Sequence, residues 1–383
     1  MDFDLSDDQL ALRDAARDLL DGFASPAQVR AHTEGSEPYD RALWAAMVEQ
    51  GWLGVELAEE SGGLGLGAVE SVVLLEEIGR HVAPGPFRST ALALGACARA
   101  GRNGAGATGG TSAGRKGEAH ADATGYMAAL LSGERLGCVA WSRDAGAVTA
   151  TRDGDAWTLT GRPDPVVDGP IADVAIVPAL GRDGPALFAV SLTEHGAPER
   201  ESAMDLTRSL GWLHLDATPA QYLGAADAVD ALLDHGATFT AAEMLGGASR
   251  VLEMATDYAK ERVQFGRPIG SFQAVKHRCA DMLVDVEGMR STVYWAAWCI
   301  GAGDPDAAIA ASTAKTWCSD ASKRVMASGL QVHGGIGFTW EHDLHFFLKR
   351  AQLDQLAFGD ATYHRERLAA LVRPRVEAGT SVV

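Results

Sequence analysis

Four long helical segments at the C-terminal end of the chain constrain its fold more than any other feature. From Gly224 onward, apolar residues recur at the spacing of one helix face. The four segments cover residues 239–258, 273–301, 305–329 and 344–371. The third has a suitable N-cap in Asp304 and a proline, Pro305, at its first helical position. Helices of this length pack side by side, so we predict a C-terminal four-helix bundle over residues 224–383.

Residues 134–223 carry the pattern of a β domain instead. Short β-prone runs alternate with turn signals such as Asp153-Gly154-Asp155 and Asp168-Gly169-Pro170. The runs cover residues 136–141, 148–150, 156–159, 172–178, 186–191 and 213–215. We therefore predict a middle, barrel-like domain of antiparallel strands.

Residues 1–133 predict an N-terminal helical domain, which makes the chain an α+β protein in three parts. Ser6 and Gln9 form the pattern of a capping box at the start of the first helix. Four glycines within residues 62–67 indicate a loop. Residues 100–125 contain almost no large apolar side chain, and we expect them to form a flexible loop between helices.

Composition excludes several classes of protein. The chain has 33 Lys and Arg against 51 Asp and Glu, and the resulting net charge of −18 disfavours nucleic-acid binding. Its five cysteines lack C-x-x-C and zinc-site spacings, which predicts reduced core thiols and no metal site. The N-terminal residues do not resemble a secretory signal, and no apolar run is long enough for a membrane span. We therefore expect a cytoplasmic location.

Three motifs resemble those of the acyl-CoA dehydrogenase family. The strongest is Tyr258–Gln273, YAKERVQFGRPIGSFQ, which is similar to the family's Y-x-x-x-R-x-x-F-G-x-x-[IL]-x-x-x-Q pattern. The second is Gln331–Phe338, QVHGGIGF, and the third is the glycine loop at Glu60–Gly67. The motifs stand in the family's order and flank the predicted β domain, so the resemblance covers nearly the whole chain.

The resemblance implies a flavoprotein that removes an α-proton and a β-hydride from an acyl-CoA thioester. The family's cofactor, FAD, accepts the hydride, while the protein supplies a carboxylate base and hydrogen bonds. In the family, the arginine that matches Arg262 reaches the FAD pyrophosphate of a neighbouring subunit, and the second motif contacts the adenine half. The residues that the resemblance assigns to FAD are Arg262, Gln264, Phe265, Gln273, Gln331, Gly334, Gly335, Val139, Val167 and Asp360.

The family's catalytic base has no direct match in this chain. Aligning the Y-E-G-T segment of most members with residues 357–360 places Phe358 where the Glu belongs. A minority of members carry the base on the first bundle helix, at a position that corresponds to Gly236. Glu243 follows two helical turns later, roughly 10 Å along the axis, among apolar residues that would raise the pKa of a carboxyl. Glu243 is the candidate base, with a buried Glu that pairs with an arginine or lines a subunit interface as the alternative reading, and Asp360 is a second candidate.

The β domain also departs from the family pattern. Where members have W-[IV]-[ST]-N and [CA]-x-T-E-P beside the flavin ring, this chain has PVVD at 165–168 and CVAWS at 138–142. Val167 and Ala140 thereby replace two hydroxyl donors, which leaves backbone amides, such as that of Val139, to bind the ring. Trp141 is a further candidate for ring contact, or alternatively a core residue.

The ending GDATYHRER at 359–367 looks like that of actinobacterial-type members that work as α2β2 heterotetramers. Three functions remain open: an FAD-dependent acyl-CoA dehydrogenase, alone or in a mixed complex; a non-catalytic partner subunit that completes another chain's FAD site; and a flavin oxidase of the same fold. We expect a homotetramer or an α2β2 heterotetramer, with an electron-transfer flavoprotein as electron acceptor. His364 and Arg365 are candidates for phosphate contact at a subunit seam.

Overall fold

The structure, a computed structural model, describes residues 4–106 and 119–380. Its α-helices are α1 Asp7–Phe23, α2 Pro26–Glu34, α3 Arg41–Glu49, α4 Ala68–His81, α5 Phe87–Gly106, α6 Ala119–Leu131, α7 Leu192–His195, α8 Ala226–Glu261, α9 Gln273–Ala302, α10 Ala307–His333, α11 Leu344–Leu356 and α12 Ala361–Glu377. Its strands are β1 Gly137–Val139, β2 Val148–Asp153, β3 Ala156–Gly161, β4 Val166–Val167, β5 Val174–Gly181, β6 Gly184–Ser191, β7 Leu210–Gly211, β8 Leu215–Gly224, β9 Val263–Gln264 and β10 Arg267–Pro268.

These elements form two compact units, each made from separate parts of the chain. The barrel unit comprises residues 35–67 and 84–235, and the bundle unit comprises 1–34, 68–83 and 236–383. Along the chain, helices come first, then strands, then long helices, which confirms the predicted fold class. The division at residues 133 and 223 into three domains stays a prediction.

The barrel unit is built on one six-stranded sheet in the order β1-β5-β2-β3-β8-β6. Because β5 also pairs with β6, five of the strands close into a barrel, and its interior is filled by buried side chains such as Leu159, Val177 and Phe188. Most strand pairs of the sheet are antiparallel, as predicted, but β5 pairs in parallel with both β1 and β2. The reason is that β5 inserts between these two strands instead of following them in a meander.

In the bundle unit, α9, α11 and α12 pack against α10, and α4 packs against α1 and α9. The helices α4 and α8 cross at two glycines. A Cβ on Gly246 would overlap the carbonyl oxygen of Glu76, and a Cβ on Gly79 would overlap that of Glu243. Two helix backbones approach this closely only where neither carries a side chain at the crossing point.

Of the two helix N-caps predicted from the sequence, the structure confirms the one at α1 and not the one at α10. The capping box is confirmed, because Ser6 Oγ accepts from Gln9 N at 3.2 Å and Gln9 Oε1 accepts from Ser6 N at 3.0 Å. The predicted cap of the third bundle helix is wrong, since α10 begins at Ala307 with Asp306 as its N-cap residue. The Asp304 carboxylate instead accepts from Asp306 N at 2.8 Å and stabilises the turn that precedes the helix.

The fourth predicted bundle helix is in fact two helices. The predicted segment at 344–371 breaks between the end of α11 and the start of α12. Phe358 and Gly359 have φ values of +54° and +91°, and residues in this left-handed region cannot continue a right-handed helix. The apolar spacing on both sides of the break conceals it in the sequence.

The predicted loop at residues 100–125 is too long at both ends. α5 continues to Gly106 and α6 begins at Ala119. Three of the seven residues at 119–125 are alanine, the strongest helix former, which favours the early start of α6. The centre of the predicted loop, residues 107–118, lies outside the described residues. In the part of the chain that the structure describes, no helix has the length and apolar character needed to cross a membrane.

Candidate functional site

The first motif folds into a small exposed hairpin after α8. β9 and β10 pair in register, with Gln264 opposite Arg267, and Phe265 and Gly266 form the two-residue turn. Both turn residues have positive φ, +55° and +80°, which is the pattern of a type I′ turn. Ile269 N donates to Arg262 O at 2.8 Å and closes the base of the hairpin.

Ring stacking brings the first and second motifs together at one end of the bundle unit. Tyr258, in the last part of α8, stacks on His333, the last residue of α10, with ring centroids 4.8 Å apart. His333 is followed by Gly334, whose φ and ψ of +62° and −138° suit glycine, and by the short turn Gly334–Phe338. The predicted cofactor residues of the two motifs therefore lie on the hairpin, on the glycine turn and at the adjoining ends of α9 and α10.

These loops suit the phosphate and adenine half of FAD. Arg262 is exposed, and within the described residues no acidic side chain pairs with its guanidinium, so its charge is available in an otherwise acidic protein. A Cβ at Gly334 or Gly335 would meet nothing within 4 Å, which leaves the backbone open to close approach by a ligand. The three glutamines of the two motifs, Gln264, Gln273 and Gln331, are also exposed.

Residues of the barrel unit that match the flavin-ring contacts lack side-chain donors. Val139 on β1 and Val167 on β4 are half-buried, and Ala140 is buried with its backbone N–H donated to Ile176 O at 2.8 Å. Asp168 takes the place of the family's Asn with a left-handed φ of +59°, a conformation that both residue types adopt readily. Contact between backbone amides and the flavin ring stays a prediction.

The two positions where the family carries its base are in contact with each other. A Cβ added to Gly236, near the start of α8, would overlap the ring of Phe358. Phe358 is buried, with 8% of its surface exposed. The place of the base is therefore filled by an aromatic ring that packs on a glycine, and neither residue has a group that accepts a proton.

Glu243 lies in a buried ion pair, which was the alternative reading of this residue. Its carboxylate Oε2 is 3.9 Å from Nη1 of Arg350 on α11, and the two side chains are 0% and 4% exposed. The backbone of Glu243 also forms the contact with Gly79 at the crossing of α4 and α8. This setting makes Glu243 a link between three helices of the bundle unit.

The remaining C-terminal candidates have partners in this chain. Asp360 is the N-cap of α12 and accepts from Tyr363 N at 2.8 Å. His364 is fully buried, and its Nε2 lies 2.8 Å from Phe358 O, so the predicted phosphate contact by His364 is wrong. Arg365 forms an ion pair with Asp320 on α10. Within the described residues, no group of three or more His, Cys, Asp and Glu side chains is arranged to hold a metal ion.

Two domain families match this chain. The acyl-CoA dehydrogenase N-terminal domain matches residues 6–103, and the acyl-CoA dehydrogenase C-terminal domain matches residues 224–372. The chain belongs to the acyl-CoA dehydrogenase family. The hairpin and the glycine turn both lie within the matched C-terminal domain, so the predicted family and its class of FAD-dependent oxidoreductases are confirmed.

Relatives of known name cover the whole length of the chain. Acyl-CoA dehydrogenase FadE27 of Mycobacterium tuberculosis is 32% identical over 96% of this chain and 98% of that protein. A structure of the ChsE4–ChsE5 complex from Mycobacterium tuberculosis matches with a TM-score of 0.86 and 31% identity over 100% of both chains. A variant of the Tcur3481–Tcur3483 steroid ACAD matches with a TM-score of 0.85 and 32% identity over 97% of this chain and 99% of that chain.

Sequence reasoning missed one residue beside Phe358. Lys315 on α10 is fully buried, and its Nζ donates to Gly359 O at 2.8 Å. A lysine among Ala, Ser and Thr on a predicted bundle helix was the available signal, since buried lysines are rare without dedicated acceptors. Its backbone acceptors come from the end of α11 and the loop after it, about 40 positions along the chain, so the signal did not reveal its role.

Proposed function

We propose that this chain is one subunit of a heterotetrameric acyl-CoA dehydrogenase. In this role it contributes residues that bind FAD, while a carboxylate of the partner chain removes the α-proton of the acyl-CoA substrate. The observation that carries the proposal is the contact of Phe358 with Gly236, because it fills both positions from which family members present a base. The burial of Glu243 against Arg350 supports it, since a base has to reach the substrate.

The chain's own residues would hold the cofactor at its phosphate and adenine half. Arg262 offers a cation to the pyrophosphate, and Gly334 and Gly335 allow the backbone to approach the adenine side. FAD, when bound, accepts the β-hydride of the substrate. Val167 and Ala140 cannot donate side-chain hydrogen bonds to the flavin ring, so this chain is expected to bind FAD weakly without a partner.

Similar proteins suggest the partner and the substrate class. Both similar structures carry the names of two different chains, ChsE4–ChsE5 and Tcur3481–Tcur3483, and the second is a steroid ACAD. We therefore propose a second acyl-CoA dehydrogenase-like chain as the partner and CoA thioesters of steroid side chains as the first substrates to assay. An electron-transfer flavoprotein is the proposed acceptor. A cytoplasmic location accords with five cysteines that are all free thiols.

The visible absorption spectrum of the purified chain tests whether FAD binding and flavin reduction require a partner chain. Expressed alone, the chain should carry little flavin, and any flavin present should not be bleached by acyl-CoA under anaerobic conditions. Co-expressed with its partner, the complex should be yellow and should be bleached by substrate. Substituting Arg262→Met in this chain should lower the flavin content of the complex. A fully yellow isolated chain that acyl-CoA bleaches would contradict the proposal.

Substitution of Glu243 tests whether this chain carries its own catalytic base. Glu243→Gln should leave the rate of flavin reduction in the folded complex within about twofold of the unsubstituted rate. It should lower the free energy of unfolding by about 3–5 kcal/mol, because the buried charge of Arg350 loses its counter-ion. The exposed Glu287→Gln is the matched control for stability. Loss of turnover with unchanged flavin content would instead identify Glu243 as the base.

A further inference from the structure

We propose that Lys315 and His364 are positioning residues that hold the Phe358 segment, residues 357–360, so that the Phe358 ring stays on Gly236. Both residues form hydrogen bonds to backbone carbonyl oxygens of this segment, and not to its side chains. The inference deepens the proposed function and rests on it, because it explains how the base position is kept filled in this subunit.

Lys315 holds the segment from the side of α10. Its Nζ donates to the carbonyl oxygens of Asp354 and Gln355, each at 3.0 Å, and to that of Gly359 at 2.8 Å. Ser319 Oγ lies 3.3 Å away on the same helix. Two of these carbonyls belong to the last turn of α11, where the helix dipole favours a cation. The ammonium therefore ties the end of α11 to the loop that follows it.

His364 holds the segment from the side of α12. Its Nε2 lies 2.8 Å from Phe358 O, and because a carbonyl only accepts, Nε2 carries the proton. Burial lowers the pKa of His364 to about 3, so the imidazole stays neutral and keeps this tautomer near neutral pH. The consecutive carbonyls of Phe358 and Gly359 are thus bound by donors from two different helices.

The segment needs such donors because its backbone conformation is unfavourable. Phe358, which has a Cβ, occupies the left-handed region at a φ of +54°. The apolar spacing of residues 344–371 favours one continuous helix, as the sequence predicts. Without the two donors we expect the segment to sample right-handed conformations, which would move the Phe358 ring away from Gly236.

Hydrogen exchange of the full-length chain, in the assembly in which it purifies, tests this inference. Lys315→Met and His364→Ala should each speed amide exchange in residues 357–364 at least about tenfold, which is the loss expected for hydrogen bonds of this kind. His364→Gln should restore slow exchange, because its amide N–H can donate to Phe358 O. The exposed Lys323→Met, on the same helix as Lys315, should change nothing.

Two results would overturn the inference. The first would come from His364→Ala, a variant that retains Lys315, if its amide exchange in residues 357–364 stayed within about twofold of the native rate. The other is exchange that rises equally across α10, α11 and α12, since a merely structural lysine would weaken the whole bundle. Exchange reports on the backbone alone, so it is independent of flavin reduction, which tests the proposed function.

Discussion

His364 illustrates how burial fixes the charge of a single residue in this protein. It is fully buried between Tyr363 and the Phe358 carbonyl, near the cations of Lys315 and Arg367. Desolvation is the largest cause of its lowered pKa, and the neighbouring positive charges act in the same direction. Between about pH 3 and pH 6.5, His364 is therefore neutral in the folded protein and protonated in the unfolded chain.

This difference predicts a loss of stability in acid. The pKa of His364 is about 3 in the folded state and close to 6.5 in the unfolded chain, so unfolding takes up a proton between these values. The stabilisation is fully present above pH 6.5 and is lost as the pH falls towards 3. His364→Gln should reduce the loss of unfolding free energy between pH 7 and pH 5 by about 2 kcal/mol, measured by urea denaturation.

The control for the pH prediction is the exposed His277→Gln. This substitution removes a histidine that is exposed in the folded protein, and it should leave the pH dependence of the unfolding free energy unchanged. Equal slopes for His364→Gln and the unsubstituted protein would refute the assignment of the acid sensitivity to His364.

At the level of elements, the crossing of α4 and α8 depends on backbone contact at two glycines. Gly246→Ala should lower the free energy of unfolding by about 2–3 kcal/mol, since its Cβ would overlap Glu76 O and push the helices apart. Gly247→Ala is the matched control, because its Cβ would have ordinary contacts at 3.6 Å or more. The control should gain up to about 1 kcal/mol from helix propensity. Urea denaturation of both variants measures the difference, and equal effects would contradict this account.

Ion pairs tie the same helices together beside the glycine crossing. Arg17 on α1 pairs with Glu77 on α4 at 2.7 Å, and Arg80 on α4 pairs with Glu253 on α8 at 2.6 Å. The guanidinium of Arg80 lowers the pKa of Glu253 against the opposing effect of burial, and Glu77 raises the pKa of Arg17. These pairs line a cavity of about 510 Å³ within the bundle unit and fix the register of α1, α4 and α8.

On the scale of the whole molecule, large apolar side chains remain exposed on the two motif loops. Phe265 is 85% exposed, Phe338 75% and Trp340 49%. Exposed apolar groups clustered on neighbouring loops are typical of surfaces that a partner covers. A chain with a net charge of −18 resists unspecific association, so assembly has to use such local surfaces.

We predict that Phe338→Asp shifts the assembly towards smaller species in sedimentation velocity. The free energy of unfolding of the subunit should change by less than about 0.5 kcal/mol, because the side chain packs little within its own chain. Leu180→Asp, at a 40% exposed position on β5, is the control and should leave the sedimentation coefficient unchanged. An unchanged coefficient in Phe338→Asp would show that this loop lies outside the subunit interface.

Features with local causes could be predicted from the amino-acid sequence alone. The capping box of α1 depends on residues three positions apart, and the order of helices and strands depends on periodicity. The three motifs at residues 60–67, 258–273 and 331–338 together predicted the family, because they combine glycines, an arginine and aromatic residues at fixed spacing and in the family's order.

Features that depend on partners distant in sequence became visible in the packed fold and not in the sequence. The break between α11 and α12 requires a donor from Lys315 on α10, which no local pattern reveals. Glu243 is a suitable base by its apolar neighbours alone, yet Arg350 on another helix places it in a buried ion pair. The contact of Phe358 with Gly236 likewise joins residues more than a hundred positions apart. Periodicity records which face of an element is apolar, whereas the pairing of buried groups arises when the elements pack.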